Sequence, residues 1–146
     1  MKSIKYILII GIVCFVISKF FVSICVVHGS SMSPTYKDKS IVLESKIITN
    51  INRNDIVVIK KNNLKIVKRI IGIPNDKIVV KDGYIYINKK KYNDLYINDP
   101  GLLINEVILG KEEYFVLGDN IDNSIDSRFS EIGIIKKEEI KGKIIR

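Results

Sequence analysis

The chain has 146 residues, 47% of them hydrophobic, and a formal net charge of +8. That length admits one domain with a modest core and excludes a multidomain enzyme. Two cysteines, Cys14 and Cys25, and a single histidine, His28, exclude a disulfide framework and a Cys/His zinc site. They also exclude a histidine-based triad unless His28 itself serves, and His28 reads as a linker residue. The basic balance admits nucleic acid or an anionic lipid surface as partner. No helix-turn-helix pattern and no zinc-ligand spacing is present, so nucleic acid is not expected.

Residues 4–27 form a nearly continuous apolar stretch holding both cysteines, with Lys5 at its start and Lys19 inside it. As a helix, about 24 residues at 1.5 Å each reach ~36 Å, enough for a ~30 Å hydrocarbon core. Lys2 and Lys5 lie ahead of it, which keeps an N-terminus cytoplasmic and sends the rest across. Two readings follow, a permanent anchor or a cleaved export signal. The anchor is preferred: residues 1–3 cytoplasmic, 4–27 a single transmembrane helix, 28–146 an extracytoplasmic domain. That domain carries 21 basic and 16 acidic residues, a net +5.

Beyond residue 27 no segment shows a sustained 3.6-residue apolar period. Short runs rich in Ile, Val and Tyr recur instead, at 41–43, 56–59, 64–71, 78–80, 84–87, 114–117 and 140–145. Asp82-Gly83 between two of them is a hairpin signal, because both central residues of that turn need φ > 0. Residues 52–55 and 61–63 are polar turn material. The fold class is therefore mainly β and largely antiparallel. Residues 93–109, with Asp99-Pro100-Gly101, are the least regular part and read as a surface excursion.

Three stretches carry candidate chemistry. Ser31 precedes Met32-Ser33-Pro34-Thr35, and Pro34 disfavours helix in the residue before it, so Ser31 sits on a stiff loop. A serine hydroxyl is a poor nucleophile without a base. Lys68 follows 37 positions later. Strand alternation puts Leu64, Ile66, Lys68 and Ile70 on one face and Lys65, Val67, Arg69 and Ile71 on the other. A lysine among aliphatic residues has its pKa depressed, and a neutral amine can accept a serine proton. The third stretch runs from Gly118-Asp119-Asn120 to Ser127-Arg128 and is dense in side chains that stitch loops together. Its alternating acids do not match a calcium loop, which wants Gly at the sixth position and Glu at the twelfth.

Together these stretches resemble the bacterial type I signal peptidases, membrane-bound Ser–Lys endopeptidases that remove export signals. Residues 31–35 are similar to that family's nucleophile box, 68–76 to its lysine box, 118–128 to its third signature and 55–58 to a short strand motif between them. The resemblance implies a twisted antiparallel β assembly with an apolar surface resting on the bilayer. It implies Ser31 as nucleophile, Lys68 as general base, and Ser124 as the residue orienting the Lys68 amine. Asp119 with Arg69, and Asp126 with Arg128, would be structural ion pairs. The Ser31 N–H would be one oxyanion donor. Val27, Met32, Tyr36 and Val67 would line shallow pockets for small residues one and three positions before the cut. No metal or organic cofactor is implied; the partners are preprotein signal peptides and the lipid bilayer.

Some positions depart from the pattern. Gly29 stands where some members offer a second oxyanion hydroxyl, a departure shared with the short Gram-positive branch that this chain resembles. Ile121 replaces an arginine of the third signature. Asn75 replaces a glycine after Pro74, at a turn where Asn tolerates φ > 0. A self-cleaving repressor-type Ser–Lys protease and a non-catalytic lipid- or wall-binding module are the rival classes.

Overall fold

The computed structural model describes residues 2–61 and 63–145. Met1, Asn62 and Arg146 lie outside the described residues, as do the side chains of Lys2, Cys14 and Lys19, on which parts of the anchor reading fall. One helix, α1 (Lys2–Phe21), leads into eleven strands: β1 (Val22–Val26), β2 (Ile41–Ser45), β3 (Ile56–Lys61), β4 (Leu64–Gly72), β5 (Lys77–Lys81), β6 (Tyr84–Ile87), β7 (Lys90–Tyr96), β8 (Val107–Ile108), β9 (Glu113–Leu117), β10 (Ile135–Lys136) and β11 (Ile140–Ile144). Among the described residues all the pairings are antiparallel. A seven-stranded sheet runs β1-β2-β11-β3-β4-β9-β10, and a four-stranded sheet runs β7-β6-β5-β8.

The apolar stretch expected to be helical to Val27 is helical only to Phe21. Residues 22–26 instead pair in register with β2, from Val22 opposite Ser45 to Val26 opposite Ile41. The strand wins because its alternation has two uses. Cys25 and, just beyond it, Val27 turn inward and are buried, whereas Ile24 (69% exposed) and Val26 turn outward beside Leu43 and Ile41 (72%). Those four outward side chains form a continuous exposed apolar patch, and α1 exposes Ile4, Ile7, Leu8, Phe15 and Phe20 among others. Among the described residues no helix is long and apolar enough to cross a membrane.

Each expected strand is present, within one or two residues at its ends. Asp82 and Gly83 take φ of 51° and 78°, closing the β5–β6 hairpin as the turn chemistry requires. Asn75 is at φ 70°, so it does stand in for a glycine. The segment 93–109 is not a surface excursion. Its first residues belong to β7 and its last to β8 and the entry to β9, and Ile97, Leu103 and Leu109 are at most 2% exposed. These three join Ile71, Ile78, Ile85, Phe115 and Leu117 in the core under the four-stranded sheet. A second cluster lies on one face of the large sheet around Val57, Ile59, Ile70, Val116 and Ile135. A third, Cys25, Val27, Met32, Val42, Ile56, Val58 and Ile144, joins β1 and β2 to β3 and β11.

Candidate active site

The Ser31 loop is a turn between β1 and β2, tied at both ends. Gly29 N donates to Asp38 Oδ1 at 2.7 Å with Gly29 at φ 82°, and Val27 N donates to Ser40 O at 2.9 Å. Within it Ser33 N donates to Ser30 O and Tyr36 N to Met32 O. Met32 is fully buried and plugs the loop into the third cluster. From the other side the 118–128 loop grips it. Asn120 N donates to Ser31 O at 2.9 Å, and Asn120 Nδ2 donates to Ser30 O at 3.2 Å.

Gly118 sets how close the two loops come. A Cβ at this position would lie 2.2 Å from Ser124 Oγ and 2.5 Å from the Ser31 carbonyl oxygen. The Ser31 backbone therefore sits directly against Gly118 and Ser124, a contact only glycine permits.

Lys68 arrives from β4, opposite Val57 of β3. It is 4% exposed, and its Nζ donates to Ser124 Oγ at 3.0 Å. Burial pushes the Lys68 amine below its ordinary range; Asp126 opposes that shift and Arg128 reinforces it. The expected alternation holds for Ile66 and Ile70, which pack in the second cluster, but Leu64 is 57% exposed at the strand end and shields nothing. The shielding comes instead from Val57 and the 118–128 loop. Ser124 thus bonds the Lys68 amine, and its hydroxyl and the Ser31 carbonyl oxygen both lie against Gly118.

Two ion pairs frame this group. Arg69 engages Asp119 in a bidentate pair, Nε to Oδ1 at 2.7 Å and a terminal nitrogen to Oδ2 at 2.6 Å, and this hydrogen bonding raises the Arg69 pKa. Asp126 and Arg128 are buried at 0% and 2%. Arg128 Nε donates to Asp126 Oδ1 at 2.9 Å, and its other nitrogens reach the carbonyls of Asp99, Ile121 and Ser124. Asp126 Oδ2 in turn accepts from Gly118 N at 3.2 Å. Every polar atom of this buried pair has a partner, the condition under which a buried pair is tolerated.

Ser127 and Asn120 do work that sequence reading left unassigned. Ser127 is fully buried and its Oγ accepts from Val116 N at 3.0 Å, extending β9 by one side-chain rung. The signal for both lay in the polar density of the loop, which does not say which partners are taken. Ile121 is 7% exposed and packs in the first cluster, so this departure is a core residue. Of the four expected pocket residues, Val27 and Met32 are buried in the third cluster, and Tyr36 and Val67 are half-buried against it.

The family model described as signal peptidase, peptidase S26, matches residues 1–146. The chain belongs to the S26 signal peptidase family. It is 36% identical to signal peptidase I U of Bacillus subtilis (strain 168), over 97% of this chain and 86% of that protein. It is 31% identical to signal peptidase IB of Staphylococcus aureus (strain N315), over 91% and 81%. Its fold is similar to a crystal structure of a signal peptidase I from Enterococcus faecalis V583, with a TM-score of 0.53, 24% identity, and coverage of 68% of this chain and all of that one. Family membership and the structural likeness both agree with a mainly antiparallel β domain.

Proposed function

We propose that this S26 member is a type I signal peptidase that cuts signal peptides from exported preproteins with Ser31 and Lys68. The observation that carries the reading is the burial of Lys68 beside Ser124 and the Ser31 backbone. A buried amine with a depressed pKa is neutral at a pH where a surface lysine is charged, and so can act as a base. With one N–H donated to Ser124, its lone pair remains for the Ser31 proton.

In this mechanism Ser31 Oγ attacks the scissile carbonyl carbon as its proton passes to Lys68 Nζ. The intermediate collapses, the C–N bond breaks, and Lys68 returns the proton to the leaving amine. Water, deprotonated by the same amine, then releases the acyl group from Ser31. The Ser31 N–H, unused among the described backbone hydrogen bonds, supplies one donor to the oxyanion. Gly29 N–H is committed to Asp38, so a second donor has to come from elsewhere. Val27, Met32, Tyr36 and Val67 form the floor on which small side chains before the cut would rest. The Arg69–Asp119 and Asp126–Arg128 pairs hold the two loops in register.

We propose that the apolar N-terminal segment, of which α1 is the helical part, anchors the chain in the bilayer with its N-terminus cytoplasmic and the β domain on the extracytoplasmic face. The exposed apolar side chains of α1 and the outward patch of Ile24, Val26, Ile41 and Leu43 support that placement. Confining enzyme and signal segment to one surface raises their effective concentration. The test is cleavage of a signal-bearing preprotein by the purified chain in detergent or lipid. Ser31→Ala and Lys68→Ala should each lower kcat/KM by orders of magnitude, and the double variant should be little worse, since the two act as a unit. Undiminished cleavage by either single variant would refute the assignment.

A further inference from the structure

The third core cluster ends, at the side away from Ser31, in a carboxylate that the peptidase chemistry does not use. Glu44 on β2 is 3% exposed. Its Oε2 accepts from Ser23 Oγ at 3.2 Å and from Lys65 Nζ at 3.1 Å. Gly142 on the adjacent β11 makes room for it, because a Cβ there would fall 2.3 Å from Glu44 Cγ and Oε1. Burying a carboxylate is costly unless it is paired, so a dedicated cradle under an otherwise apolar floor calls for a use. The Lys65 side chain, by contrast, is 55% exposed. Its ammonium therefore keeps donors for a ligand while Glu44 offsets its charge.

This cluster is in line with Ser31. Taken away from the Ser31 loop, the inward residues are Val27 just past β1 and then Cys25 and Ser23 on it, at two-residue steps; on β4 they are Val67 and then Lys65. In the described ladders β1 pairs only with β2, and β4 pairs with β9 only from Arg69 onward. Residues 64–68 of β4 and the whole of β1 thus present free edges beside one floor, and an extended peptide can add to such an edge. Its inward side chains recur every second residue, about 6.8 Å apart. With the residue before the cut over Val27 and Met32, the third residue before it lies over Cys25 and Val67. The fifth then reaches Ser23 and Lys65.

Building on the peptidase reading, we infer that Ser23, Glu44 and Lys65 form a polar subsite for the fifth residue before the cleaved bond, selecting a carboxamide side chain there. A glutamine or asparagine accepts from the Lys65 ammonium through its carbonyl and donates to Ser23 Oγ, whose own proton is engaged by Glu44. An aliphatic side chain leaves those groups unpaired. A lysine or arginine meets the ammonium as a like charge. A carboxylate gains less than an amide does, because Glu44 already neutralises Lys65 and Ser23 then has nothing to accept.

The experiment compares the full chain, in detergent, on three preproteins differing only at that position: Gln, Leu or Lys. The wild type should give a kcat/KM ratio of about fivefold for Gln over Leu, the size of one good hydrogen bond, and a larger ratio for Gln over Lys. Lys65→Met should bring the Gln/Leu ratio near one. Lys65→Arg should retain it, and Ser23→Ala should reduce it. A purely structural role for the cluster would scale all three substrates alike and leave the ratio unchanged in every variant, which would overturn the subsite alone. Absence of cleavage of all three by the wild type would instead overturn the peptidase reading and the subsite with it.

Discussion

Gly118→Ala is the sharpest test of how the site is assembled. The added methyl would stand 2.5 Å from the Ser31 carbonyl oxygen, 2.2 Å from Ser124 Oγ and 2.6 Å from Ser124 Cβ. Ordinary contact begins near 3.4 Å, so both neighbours must retreat by about 1 Å. Ser124 Oγ can rotate away, but that abandons Lys68 Nζ. The Ser31 oxygen belongs to the backbone and moves only with its whole loop, against the Asn120 hydrogen bonds. A displacement of about 1 Å at reacting groups costs on the order of 100-fold in rate. Overpacking adds about 1–3 kcal/mol of destabilisation. The measurements are kcat/KM on a preprotein and, separately, denaturant unfolding, so that lost activity in a folded enzyme is distinguished from lost fold. A Gly118→Ala enzyme within twofold of the parent would refute the close seating of Ser31 on Gly118 as a requirement for catalysis.

Activity should rise with pH through the lowered Lys68 pKa, and the limb should persist in His28→Ala; a limb that vanishes in that variant would identify the histidine as the titrating group. Linkage gives a companion effect. Between the folded and unfolded pKa of Lys68 the unfolded chain binds the extra proton, so stability rises with pH across that window. Lys68→Met should therefore stabilise the protein below the window and lose that advantage as pH approaches the ordinary lysine value, by urea unfolding at several pH values. Asp126→Asn leaves the Arg128 guanidinium buried without its counter-charge and should cost about 3–5 kcal/mol in the same assay. Ile121→Arg should destabilise by at least about 2 kcal/mol, because it drives a charge into the first cluster; an unchanged midpoint would mean the loop opens at little cost.

The strands were legible wherever alternation met a turn of specific chemistry, as at Asp82-Gly83. The burial of Lys68 was legible from the same alternation. β1 was not, because Val22 to Val27 is apolar at almost every position, and such a run reads equally as the end of a helix. Only its pairing with β2 decides. β7 hid for the opposite reason: Lys90 to Tyr96 is a polar edge strand with no apolar period. Ile97, Leu103 and Leu109 are spaced irregularly, so their shared core appears only once β8 and β9 are placed. In the proposed site, Ser31, Lys68 and Ser124 were singled out from motif and pattern. The lysine's hydrogen bond to Ser124 and the clasp of Asn120 on the Ser31 loop depend on contacts across 56 and 90 residues of chain, which no local rule reports.

β11 lies between β2 and β3 in the large sheet, pairing Ile144 with Glu44 on one side and Gly142 with Val58 on the other. Among the described residues no ladder joins the β1–β2 hairpin, which carries the Ser31 loop, directly to the β3–β4 hairpin, which carries Lys68. The two halves of the proposed dyad are thus buttoned together by a strand that follows all the others in chain order. Within the large sheet the two hairpins meet only through residues 140–144, while the 118–128 loop bridges them at the site. Such non-local closure is slow relative to hairpin formation. Truncating β11 should therefore unseat the two hairpins from each other and lower activity more than it alters either hairpin.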